Sequence, residues 1–218
     1  MNYTDLVAAI ESTVENTFET EDLARFVRNA EQRIFSSIDF PVSRKVSSLA
    51  TTSGERYLNC PDDFLAVDSL ALVASTGDYT YLLPKDPNFI REAYPNPTST
   101  GVPKYYAIFG PQAALSTELV FVLGPTPNAA MTVELHYVYY PESITVAASG
   151  QTWLGDNLEF VLLYGSLVEA YTFLKGEADM MGVYEAKYKE ALMLAKKLGD
   201  GAQKMDMYRN GTPRVPVG

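Results

Sequence analysis

Apolar residues in the first forty positions recur at helical spacing. Leu6, Ile10 and Val14, with Tyr3 and Val7 beside them, make one stripe of a helix that Thr4 can cap, with Asp5 in its first turn. After a short turn Leu23, Phe26, Val27, Ala30, Ile34 and Ile38 repeat the pattern, with Thr20 as the expected cap and Glu21 and Asp22 set against the N-terminal dipole. Pro41 should end this second helix, because proline disfavours helix in the residue before it and donates no hydrogen bond.

Between residues 42 and 148 the pattern shortens to runs separated by Gly and Pro. Leu65 to Val73, Tyr79 to Leu83, Lys104 to Phe109, Glu118 to Leu123 and Met131 to Tyr140 read as strands. Ser75-Thr76-Gly77-Asp78 and Pro125-Thr126-Pro127-Asn128 are expected turns, each joining antiparallel neighbours. Asp86-Pro87 has the form of an N-cap followed by proline at the first helical position, opening a short helix with Phe89 and Ile90.

A third long helix is expected from a cap at Asp156. From Leu158 to Leu174 it is apolar on nearly every side, so it needs cover from more than one direction. Leu158, Val161, Tyr164, Val168 and Tyr171 are the candidates for meeting a second subunit. A fourth, amphipathic helix follows Gly176, with Met181, Tyr184, Tyr188, Leu192, Ala195 and Leu198 on one face, Glu185 and Lys189 on the other, and Gly199 as its expected stop. The last twenty residues lack periodicity. The class is therefore α+β: a helical bundle built from residues 1–41 and 150–198, an inserted, mainly antiparallel β domain at 42–149, and an extended C-terminal arm at 199–218.

Composition narrows the function. The chain has 218 residues, 17 basic and 27 acidic, for a net charge of -10. That balance argues against general nucleic-acid binding, which rests on neutralising phosphates. Residues 199–218 alone are net positive, with Lys204, Arg209 and Arg214 against Asp200 and Asp206. The start of the chain has no basic and apolar leader and no run reaches membrane-spanning length, so a cytosolic protein that touches no membrane is expected.

Candidate chemistry is sparse. One cysteine, Cys60, and one histidine, His136, cannot close a Cys/His zinc site or form a disulfide within the chain. His136 alternates with Val133, Leu135, Tyr137 and Tyr139 along its strand and reads as a surface or interface histidine; Cys60 reads as an inert thiol. Asp62-Asp63 and Glu177-Ala178-Asp179 are better explained as a loop cap and a solvated helix start than as acid–base pairs. No catalytic, cofactor-binding or metal-ligating residue is assigned, and no cofactor is expected. Gly165 and Ala170 would permit close helix packing. One reading, a helical protein-binding module, rests on a likeness of residues 156–198 to one tetratricopeptide helix pair, although stacked repeats need about three.

Several runs together resemble one family. Lys85 to Tyr94, Gly101 to Ala107, Leu123 to Pro127, Glu134 to Tyr137, Trp153 to Asn157, Leu163 to Tyr171 and Lys175 to Asp179 are similar, in order and spacing, to head-to-tail adaptor proteins of short-tailed phages. The resemblance runs from about Asn2 to Leu198. It implies a structural virion protein at the head–tail junction, assembled in the host cytoplasm into a homo-oligomeric ring, usually of twelve copies. The ring would sit between the portal protein and the tail nozzle, with tail fibre proteins as further neighbours. It would line a duct that the genome DNA crosses, without specific binding, in retention and ejection. The bundle would form the ring and the β domain a tail-facing platform. The C-terminal segment, with Lys204, Met205, Met207, Tyr208 and Arg209 as its anchors, would bind the portal.

Overall fold

Asn2, rather than Thr4, caps the first helix: its Oδ1 accepts the Asp5 N–H at 2.8 Å, and α1 runs Tyr3–Val14. Helix α2 spans Thr20–Ser37. Thr20 is its first residue and not its cap; Glu19 takes the cap position without a side-chain bond. The helix closes before the proline. Ile38 is already extended, although its N–H still reaches Ile34 O at 3.1 Å, and Pro41 opens a single 3-10 turn, Pro41–Ser43. These elements belong to a computed structural model that describes residues 1–111 and 118–202. The chain divides into two compact units, Met1–Val42 with everything from Pro141 onward, and Ser43–Tyr140.

The second unit contains β1 (Arg44–Ala50), β2 (Tyr57–Asn59), β3 (Ala66–Val73), β4 (Tyr79–Tyr81), β5 (Leu83–Pro84), α3 (Pro87–Ala93), β6 (Thr100–Gly101), β7 (Tyr105–Phe109), β8 (Val120–Gly124), β9 (Thr126–Pro127) and β10 (Thr132–Val138). Strands β1, β10, β3 and β4 form one four-stranded sheet, in that order and antiparallel throughout. Strands β2, β8, β7 and β5 form a second, in which β5 and β7 are parallel. Leu70, Leu72, Val133, Leu135 and Tyr137 of the first sheet share a core with Leu58, Tyr106, Phe121 and Leu123 of the second. Helix α3 is capped by Asp86 as expected and seats Ile90 on Ala107 and Val122, at the other face of that second sheet.

Two expectations fail here for physical reasons. Pro125–Asn128 does not join paired strands: β8 and β10 lie in different sheets, and Thr126–Pro127 pairs in parallel with Thr100–Gly101 while the chain crosses over. Strands β1 and β2 were not expected at all. An edge strand with one free side, reading Arg-Lys-Val-Ser-Ser-Leu-Ala, carries little alternation for a pattern to detect.

The first unit resumes with α4 (Trp153–Asn157), α5 (Glu159–Phe173) and α6 (Ala178–Ala202). Thr152 caps α4 through Gly155 N–H at 3.3 Å; Asp156 lies inside that helix and caps nothing. Residues 141–149 lie with the helices and not with the sheets, because Ile144 is buried among Leu6, Ile10, Phe40 and Leu154. Gly199 does not stop α6. A Cβ there would stand 3.0 Å from Ile38 Cγ2 and 3.3 Å from Phe40 Cδ1, so the glycine admits close packing while the helix continues to Ala202.

Candidate assembly surfaces

Helix α5 is the centre of the first unit. It packs against α1, α2, α4 and α6, so most of the cover that its apolar sequence demands comes from its own chain. Val161 and Val168, two of the expected interface residues, are buried within that core. Leu158, Tyr164 and Tyr171 are partly buried: Tyr171 meets Tyr184 edge-on at 5.4 Å, and Lys187 Nζ lies 5.3 Å from the Tyr164 ring. Phe160, one turn before Tyr164, is 62 % exposed and was not singled out by sequence. Gly165 lies between Ala30 and Tyr188, where close approach was expected. On α6, Tyr184, Tyr188 and Ala195 face the core, whereas Met193, Leu194 and Leu198 are exposed near its C-terminal end.

An open groove of about 620 Å³ runs beside α2 and α6. Arg33 organises it, pairing with Glu169 at 2.8 Å while its guanidinium lies 4.9 Å from the centre of the Tyr188 ring. Behind the same helix, Glu31 is the one buried acid among the described residues; its Oε1 accepts the backbone N–H of Ile144 at 2.9 Å. Burial pushes its carboxyl above the ordinary carboxylate range, opposed by the Ile144 bond, Ser143 and Arg28. Sequence reasoning passed over Glu31 because it took the apolar stripe of this helix without asking which acid shared its face.

In the β unit the expected alternation of β10 is observed, with Val133, Leu135 and Tyr137 inward and Glu134 and His136 outward. His136 Nε2 contacts Glu134 Oε1 at 3.0 Å, and Glu134 Oε2 accepts from the Tyr79 hydroxyl at 3.1 Å. A same-face neighbour two residues away on a strand is the signal that could have found the first of these pairs. Of Asp62-Asp63, only Asp63 is engaged: its two oxygens accept from Tyr137 at 2.7 Å and Lys45 at 2.8 Å. Cys60 is buried, and burial pushes its thiol up to about 12, far from the thiolate a nucleophile needs. Glu177 and Asp179 are exposed around the start of α6. Among the described residues there is no cluster of three or more His, Cys, Asp or Glu side chains placed to hold a metal, and no helix long and apolar enough to cross a membrane. Lys204, Met205, Met207, Tyr208 and Arg209 lie outside the described residues.

What the molecule presents is thus a helical unit and a unit of two packed sheets. The family model described as SU10 adaptor protein matches residues 1–216, nearly the entire chain. The chain belongs to that family, one of phage head–tail adaptors, and its role is structural. This membership sets aside the reading of residues 156–198 as a non-viral tetratricopeptide-like module. No curated protein matches the chain.

Proposed function

We propose that copies of this chain form a closed ring, of twelve subunits, between the portal protein and the tail nozzle, around a duct through which the genome is retained and then ejected. The observation that carries this reading is the family match over residues 1–216. The helical unit forms the ring. Its neighbour-facing residues are Leu158, Tyr164 and Tyr171, joined by exposed Phe160, while Val161 and Val168 support them from within. A stable interface of this kind buries about 1,200 to 2,000 Å². The β unit faces the tail proteins, tail nozzle and fibres included. The excess of 27 acids over 17 bases suits a wall that phosphates do not adhere to, within a screening length of roughly 8 to 10 Å.

Residues after Ala202 serve as the portal-binding arm, with Met205, Met207 and Tyr208 as apolar anchors and Lys204 and Arg209 pairing with acids. No step of catalysis enters this role. The test mixes purified portal with the full chain and examines the product by light scattering and electron microscopy. Twelve-fold rings stacked on the portal are expected, and a chain that stays monomeric and leaves portals unchanged overturns the proposal.

A further inference from the structure

Among the described residues no strand pairs with the outer side of β1 or of β4 in the antiparallel sheet of the β unit, and these two edges are complementary. Strand β1 bonds to β10 through residues of one parity: Thr51 N–H reaches Met131 O and Tyr139 N–H reaches Ser43 O, which sets Ser47 and Leu49 in the hydrogen-bonded positions. The N–H and C=O groups of Val46 and Ser48 therefore point away from the sheet. At the far side, Leu82 N–H bonds Leu70 O and Ala74 N–H bonds Asp78 O, so those of Tyr79 and Tyr81 point outward from β4 in the same way. The outward-pointing residues of both edges carry their side chains on one face of the sheet, the face of Glu134 and His136.

Polarity completes the match. Four strands alternating in direction leave β4 antiparallel to β1, so a second copy carried round a ring axis, without being turned over, offers its β1 antiparallel to the β4 of the first. A contact between two different surfaces of the same molecule is what a ring requires. We infer that in the assembled ring β4 of each copy hydrogen-bonds to β1 of the next, joining the platform sheets. Tyr81 sits opposite Val46 and Tyr79 opposite Ser48. That register covers the two most exposed apolar side chains of these edges, Tyr81 at 64 % and Val46 at 54 %, with each other as an aromatic and β-branched pair. Lys45 does not guard the β1 edge, because it points to the other face, held by Asp63 and lying over the Tyr139 ring; Arg44, at the start of the strand, is the one cation that shares the outward positions of Val46 and Ser48. The junction is only three residues long on the β4 side, too small to associate alone, so this inference rests on the ring reading proposed for the helical unit.

The experiment uses rings assembled on portals from the double variant Val46→Cys/Tyr81→Cys. Directly opposed residues of such a pair have Cα atoms about 5.5 Å apart, within disulfide reach, and buried Cys60 stays silent. Oxidation should produce a covalent ladder from the double variant and from neither single variant. Rings visible by microscopy without a ladder overturn the sheet junction and leave the ring reading standing; absence of rings removes both. Dimers from Val46→Cys alone would mean that β1 pairs with itself, which also overturns it. Hydrogen exchange on the unsubstituted chain gives an independent readout. Amides of Val46, Ser48, Tyr79 and Tyr81 should be fast in the free protein and slow in the ring, and equal rates in both overturn the inference.

Discussion

The carboxylate of Glu31 on α2 holds the backbone N–H of Ile144 at 2.9 Å, across 113 positions of sequence, and so fastens the returning chain to the helical unit just after it leaves the sheets. Replacing Glu31 by Ala leaves that buried N–H without a partner and should cost about 1–3 kcal/mol. Glu31→Gln keeps an acceptor and should cost less.

Both variants also lose a pH dependence that the natural protein should show. Burial raises the folded-state value of Glu31 above its unfolded one, so over the interval between them the folded chain keeps a proton that the unfolded chain releases. The contribution of this group to stability is therefore full below the ordinary carboxylate value and declines as pH rises through the raised one. Urea melts over roughly pH 4 to 8 should show this decline in the natural protein and a flatter profile in Glu31→Gln.

Gly165→Leu tests the closeness of α2, α5 and α6. A Cβ at this position already stands 3.1 Å from Ala30 Cβ and 3.2 Å from Tyr188 Cε2, so a larger side chain forces two helices apart. A loss of about 1–3 kcal/mol is expected, with an unchanged denaturant slope. A variant as stable as the natural protein would show that the helices are not in contact there.

Tyr137→Phe removes the hydroxyl that Asp63 accepts at 2.7 Å, in a core position that otherwise keeps its ring. About 0.5–1.5 kcal/mol should be lost near neutral pH. Burial tends to raise the Asp63 carboxyl, but the bonds from Lys45 and Tyr137 and the Lys45 charge outweigh it and hold it below the ordinary range. Its contribution is therefore present above the unfolded value of about 3.9 and lost as pH falls through the depressed one, where variant and natural protein should converge. The Lys45 pair is half exposed, so Lys45→Ala should matter less than the tyrosine.

Much of this fold was legible where burial imposes a period. The stripes Leu6–Ile10 and Leu23–Ile34, the alternation of β10 and the Asp86-Pro87 helix start all follow from one face meeting a core. What escaped was set by partners distant in sequence. Strand β1 has one free edge and little alternation. The crossover at Pro125–Asn128 depends on which sheet receives the chain. Gly199 resembles a helix stop until Ile38 and Phe40 are seen against it. The excess of apolar residues in α5 was readable, but a central helix in one chain and an interface helix between chains share the same composition. Only the packing of α1, α2, α4 and α6 distinguishes Val161 and Val168, which are covered, from Phe160, which is not.

The position of Gly199 inside α6 bears on where the proposed portal-binding arm is best cut. Truncation after Gly199 would remove residues of a helix whose glycine packs on Phe40; truncation after Ala202 keeps every described residue of that helix. Residues 203–218 carry Lys204, Arg209 and Arg214 against Asp206 alone, in a chain that is otherwise strongly acidic. Removing them takes away the basic segment and the candidate anchors Met205, Met207 and Tyr208 together. The truncated protein should therefore keep its helical signal and melting temperature but fail to join portal rings, and the natural protein should bind portals less tightly as salt is raised. Portal binding by the truncated chain at full strength would place the contact on the helical unit and leave residues 203–218 without a part in it.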